Sequence, residues 1–267
     1  MLLVILSVPV FILSVLSINI KSQFLSAGFW INTFEKANVY SQISTSVSDR
    51  LADKVVAGGG KISDITALSN LISPYNIKVF FEKNVKSILL FANGKSSEII
   101  VFTPLPTKNI PVGTKTDDFS NFSEKMTLDD FLKNLNITGV TKEDFQIISK
   151  FGVWSWILIG TSFALLLLVL VLTYALIDAG RHLTAMGIEF ALSGILILSS
   201  YFLAGFIGKY LTENFVKSAN IGTSLAAIAA PPVIANVAQV WVWFALSSIL
   251  LGVLLFFVKK PAKNSLR

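Results

Sequence analysis

The chain has 267 residues, of which 53% are hydrophobic and 14% charged, and it contains no cysteine. No disulfide, thiolate metal site or thiol nucleophile can therefore exist. The net charge is +6, yet residues 21–150 carry 15 basic and 13 acidic side chains, a net of +2. The basic excess sits mostly in short flanks of apolar stretches, which reads as membrane topology and attraction to anionic lipid, not nucleic-acid binding.

Residues 2–20 form the first apolar stretch, uncharged and long enough to cross a hydrocarbon core about 30 Å thick as a helix. No Lys or Arg precedes it and Lys21 follows it. No convincing small-residue cleavage site ends it, so residues 1–21 are read as a retained signal-anchor helix.

Residues 22–150 are read as a mostly helical extracytoplasmic domain, large enough to fold on its own core. Residues 32–56 place Phe34, Val39, Tyr40, Ile43, Val47, Leu51 and Val55 on one helical face. Gly58-Gly59-Gly60 ends that helix, and a short helix is expected around residues 63–72. Ser73-Pro74 marks the next helix start, with proline in the first turn. Phe80, Phe81, Ile88 and Leu89 are expected to be mostly buried on that helix, which Asn93-Gly94 ends. Residues 98–102 read as a strand or extended edge, and 108–121 as a loop. Thr127-Leu128-Asp129-Asp130 and Thr141-Lys142-Glu143-Asp144 both look like capped helix starts.

Residues 153–177 form the second span and 237–258 the fourth, both uncharged; 186–208 form the third, with the single charge Glu189. The third span also holds Gly187 and Gly194. Such small residues serve helix packing within the chain or, alternatively, a seam between copies. Residues 218–235 are apolar but small, with Pro231-Pro232 near the middle. The segment 210–235 is read as an outer amphipathic or re-entrant helix broken at the prolines, with a fifth span as the alternative.

Direction follows the positive-inside rule. The tail carries Lys259, Lys260, Lys263 and Arg267, and the turn between spans two and three carries Arg181 and His182 beside Asp178. Four spans put both on the cytoplasmic side, with residues 22–150 outside and the amino terminus inside. Trp154, Trp156, Trp241 and Trp243 then sit at the outer interface.

The only histidine is His182, so the insert can hold neither a Ser-His-Asp triad nor a multi-histidine zinc site. Asp129-Asp130 is better explained by helix capping than by paired catalytic carboxylates. A candidate charge cluster, functional or structural, comprises Asp178, Arg181, His182 and Glu189. Glu189 lies about one turn inside the third span, where snorkelling or a pair with Arg181 or Lys259 is the bland reading and an ion role the sharp one.

The opening apolar helix, then Phe29-Trp30 and the run Phe34 to Tyr40, resembles a pattern in uncharacterised bacterial four-span membrane proteins with an extracytoplasmic domain after the first span. The approach from Arg181 to Gly187 is similar to theirs. The order of loops also resembles the claudins, although the paired cysteines of that signature are absent. These resemblances imply an architecture and no activity.

The expected fold is mainly all-α: a four-transmembrane-helix bundle with a mostly helical extracytoplasmic domain between spans one and two. The expected role is a non-enzymatic binding or scaffold protein of the cytoplasmic membrane, without cofactor. Its partners are the lipid bilayer and a protein or ligand at the outer domain, with an oligomer possible and nucleic acid excluded. A small channel or transporter subunit is the alternative.

Overall fold

In the computed structural model, residues 2–58, 72–104, 123–134, 142–177, 181–215 and 221–258 are described here. The expected helix at 63–71, the loop at 108–121, Thr141, Asp178 and the tail from Lys259 fall outside them. The chain is mainly α-helical. Its helices are α1 (Leu2–Asn19), α2 (Ala27–Lys36), α3 (Val39–Ala57), α4 (Pro74–Ala92), α5 (Leu128–Asn134), α6 (Lys142–Ser149), α7 (Phe151–Leu176), α8 (His182–Phe215) and α9 (Ile221–Phe257). A π-helical turn, Ile20–Phe24, continues α1, and strands β1 (Ile100–Pro104) and β2 (Ser123–Thr127) pair antiparallel.

Four helical stretches are long and apolar enough to cross a membrane: Ile5–Phe24, Phe151–Leu176, His182–Phe215 and Thr223–Phe257. The protein is a multi-pass membrane protein. Residues cluster into two compact units. One comprises Met1–Gln23, Trp154–Lys209 and Ile234–Arg267; the other comprises Phe24–Val153 and Tyr210–Val233.

Two expectations about helix continuity fail, in opposite directions. Residues 32–56 are not one helix. Asn38 adopts φ +52° between α2 and α3, a left-handed conformation that asparagine tolerates better than most residues. Conversely, α9 is not broken at Pro231-Pro232 but runs 37 residues through them. Each proline lacks the N–H that would reach four residues back, so the carbonyls of Ala227 and Ile228 lose that bond. Both residues are buried, and the bonds on either side carry the helix through. Of the segment 210–235 expected to re-enter or lie on the surface, residues 221–235 are thus part of the same helix as the fourth span and 210–215 end α8, and no fifth span arises among the described residues.

In the second unit, local signals set the helix ends. The Ser73 hydroxyl accepts from the Asn76 amide, with Pro74 at the first helical position. At the other end of α4, Gly94 at φ +69° donates to Phe91 O, and the Lys95 amide donates to Leu90 O. This is the paired bond pattern of a left-handed glycine cap. Thr127 caps α5: its hydroxyl accepts from the Asp130 amide at 3.2 Å and donates to the Asp130 carboxylate at 2.7 Å. The Asp129-Asp130 doublet therefore has a capping role, as its spacing indicates.

The core of this unit is aromatic. Phe34 stacks on Phe81 at 4.5 Å between ring centroids, and Tyr40 meets Phe81 edge-on at 5.6 Å. Phe34, Val39, Tyr40 and Phe91 are buried. The expectation for α4 is only partly met. Phe80, Phe81 and Leu89 are half-buried, and Ile88 is 43% exposed. The buried line of α4 runs instead through Asn76, Ser87, Phe91 and Ala92. Its polar members have a purpose, because β1 leaves one edge without a strand. The Asn84 side chain accepts from the Phe102 amide and donates to the Phe102 carbonyl, each at 3.0 Å, while Ser87 accepts from the Ile100 amide at 2.8 Å. An asparagine amide thus stands in for the missing neighbour, satisfying backbone groups that would otherwise be stranded.

Candidate functional site

The first unit packs its helices on small residues. A Cβ on Gly194 would lie 2.6 Å from Ile249 Cγ1 and 2.7 Å from the Ala245 carbonyl oxygen. One on Gly252 would lie 2.7 Å from Gly187 O. Gly187 and Gly194, seven residues apart on α8, therefore let α9 approach backbone to backbone. The Ser248 hydroxyl fastens the contact by donating to Phe190 O at 2.7 Å. These glycines serve packing within the chain. Val15, Ile197 and Ala245 form the buried apolar centre of the unit, flanked by Phe11, Ile12, Leu198, Trp241 and Phe244.

Glu189 is 2% exposed inside this unit. The Thr173 hydroxyl of α7 donates to its Oε1 at 2.7 Å. Helical side chains lean toward the helix amino terminus, which carries the Glu189 carboxyl back to the last full turn of α7. The expected pair with Arg181 is not formed: Arg181 is exposed, and no ion pair to Glu189 exists among the described residues. Nor does Glu189 snorkel, because its side chain is enclosed between helices. Lys259 and Asp178 lie outside the described residues. His182 is buried two turns before Glu189, and its ring meets Tyr174 edge-on at 4.5 Å.

Consecutive residues of α7, Thr173 and Tyr174, hold Glu189 and His182 separately. Sequence reasoning registered Thr173 only as a polar residue within a span. It missed the pairing because the partners lie 16 positions apart across a turn, a separation that carries no helical signature. The other span hydroxyls behave as helix packing predicts: those of Thr161, Ser162, Ser199 and Ser200 donate to carbonyls three or four residues back.

A second candidate lies in the other unit. Phe91, Glu98, Ile99, Thr127, Leu128, Asp129 and Phe145 line a cleft of about 50 Å³. The sheet and the α5 cap build it: Thr127 ends β2, the Leu128 amide donates to Ile99 O at 3.0 Å, and the cap leaves Asp129 in the lining. Among the described residues no group of three or more His, Cys, Asp or Glu side chains is placed to hold a metal.

At the end of the first span, the Lys21 ammonium lies 5.4 Å from the centre of the Trp156 ring, a cation–π contact between the ends of two spans.

No protein family matches the chain, and no curated protein or solved structure matches it.

Proposed function

We propose that this is a non-enzymatic protein of the cytoplasmic membrane that acts by binding a protein partner through residues 22–150, held outside the cell with both termini in the cytoplasm. The cleft lined by Phe91, Ile99, Leu128 and Phe145 carries the reading. Its volume of about 50 Å³ admits a side chain, whereas drug-sized ligands and cofactors occupy pockets of roughly 300–1,000 Å³. Its apolar lining takes an aliphatic stem, and the Asp129 carboxylate in that lining favours a basic head group. The fitting partner is a segment presenting a lysine or arginine. Residues 22–150 contain no histidine and no cysteine, which argues for recognition over the commonest nucleophilic and acid–base chemistry.

The orientation rests on charge. Arg181 and the basic tail mark one side of the membrane. Trp154 and Trp156, with Lys21 against the latter, fit the opposite interface.

Intact cells provide the test. A photo-crosslinking side chain at Leu128 should give a discrete protein adduct that Asp129→Lys abolishes. In the same cells an impermeant thiol reagent should label Lys115→Cys and miss Lys263→Cys. No adduct at Leu128 would refute the binding role, and reversed labelling would refute the orientation.

A further inference from the structure

One carboxyl oxygen in the first unit has no protein partner. Glu189 Oε1 accepts the Thr173 hydroxyl, while Oε2, fully enclosed, has no hydrogen-bond partner among the described residues. No lysine, arginine or histidine nitrogen of the described residues lies within 4.0 Å of it. His182 is turned to Tyr174, and Arg181 is exposed. Among the described residues the only other ionisable side chain buried in this unit is His182. The amino-terminal charge is the one positive charge whose field reaches it; a buried carboxylate with one hydroxyl donor and no bonded cation is poorly compensated, because desolvating it costs far more than a single hydrogen bond returns.

The surroundings suit a small positive guest. The buried residues along the same bundle include Ser193, one turn beyond Glu189, and Ser248. Gly187, Gly194 and Gly252 interpose no side chain between the backbones of α8 and α9. The Ser248 hydroxyl is bonded to Phe190 O, and the glycines bring the two helix backbones into direct contact, so the enclosure admits only a small guest.

We propose that Glu189 with Thr173 forms a buried, exchangeable site for one small monovalent cation, a proton or an alkali-metal ion, inside the bundle. The guest binds at Oε2 and leaves the Thr173 bond to Oε1 in place. The site is independent of the cleft in the other unit and supplies a second activity, the uptake and release of a cation at membrane depth.

The test is labelling of the full-length protein in liposomes with dicyclohexylcarbodiimide, an apolar reagent that modifies protonated buried carboxyls, with the adduct located by mass spectrometry. Sodium, potassium and choline buffers are compared from about pH 6 to about pH 9, since a single exchangeable proton loses roughly tenfold occupancy per unit above its midpoint. An adduct on Glu189 that fades about tenfold or more with rising pH, alike in all three salts, identifies the proton. Suppression by sodium or potassium, but not by choline, identifies the metal ion. Absence of the adduct in every buffer would mean that a cationic side chain of the chain neutralises Glu189. An adduct indifferent to both pH and salt would make Glu189 a fixed neutral hydrogen-bonding group. Either of these last two results overturns the proposal. Thr173→Val, which keeps the shape and the fold, should alter the pH or salt response by about tenfold or more, as expected when a charge-assisted hydrogen bond is lost.

Discussion

The two units bury opposite kinds of residue. In the unit built from the spans, the larger fully enclosed side chains among the described residues are polar, Asn19, Thr173, Ser7, Ser17, Ser155, Ser162 and Ser193, beside the small apolar Ala245. The apolar bulk points away, with Phe202 and Phe206 each 69% exposed and Leu176 71% exposed. In the other unit, Phe34, Val39, Tyr40 and Phe91 fill the interior, and charges such as the Lys78–Glu35 pair stay outside. The solvent explains the inversion. In water, hiding an aromatic ring contributes through the area it removes from contact. In lipid the surroundings are as apolar as leucine, so burial of apolar area contributes little. Close approach and internal hydrogen bonds then choose the interior residues, and serine and glycine serve both.

The largest expected effect separates these two regimes. Phe34→Ala should destabilise the unit with the aromatic core by about 3–5 kcal/mol, the usual cost of emptying a buried phenylalanine site. Ser162→Ala, at an equally buried position in the span unit, should change stability by less than about 1 kcal/mol, because its hydroxyl bonds only its own helix. Hydrogen exchange in nanodiscs reports each unit separately. Equal effects at the two positions would mean that one mechanism holds both units.

A smaller effect probes the glycine contact itself. Gly194→Val should cost about 1–3 kcal/mol by overpacking, since its first added carbon already meets Ile249 and the Ala245 carbonyl. Gly205→Val is the control: a Cβ there has nothing within 4 Å, and it should be silent or slightly stabilising. Thermal unfolding followed by tryptophan fluorescence would read both. A silent Gly194→Val would show that α8 and α9 do not depend on close approach.

What could be read in advance follows the range of each signal. The four spans were legible because length and apolarity are properties of one uninterrupted segment. So were the caps at Ser73-Pro74, Asn93-Gly94 and Thr127-Asp130, each spelled within four residues. The break at Asn38 was not, because the apolar spacing continues across it and only one dihedral changes hand. β2 was missed altogether. Ser-Glu-Lys-Met-Thr lacks the alternation of a half-buried strand, and it is a strand only because β1 pairs with it. The run through Pro231-Pro232 was misread because local proline chemistry was weighed without the buried neighbours that hold the helix together. In the candidate site, Glu189 was visible as the one acid in a span, but its bond to Thr173 and its missing second partner depend on tertiary placement.

The finest distinction concerns a hydroxyl in the aromatic core. Tyr40 is buried with no hydrogen-bond partner for its oxygen among the described residues. Burial, reinforced by the charges of Glu82 and Glu35, pushes its hydroxyl from the ordinary 10.0 up to about 12. The folded state therefore holds the proton more tightly than the unfolded chain does. That contribution is complete below about pH 10 and is lost as pH rises through about 12. Tyr40→Phe removes both the ionisation and the unpaired polar atom. At neutral pH the variant should be as stable as the parent or more stable by up to about 1 kcal/mol, since no buried bond is broken and a desolvation cost disappears. Above about pH 10 the gap should widen in favour of phenylalanine, as only the tyrosine chain can lower its unfolded free energy by releasing this proton. Denaturant unfolding of the two proteins at neutral and alkaline pH isolates the effect, because every other titrating group is common to both. A variant less stable at neutral pH would mean that the hydroxyl has a partner, and that polar bonds as well as apolar area hold the aromatic core.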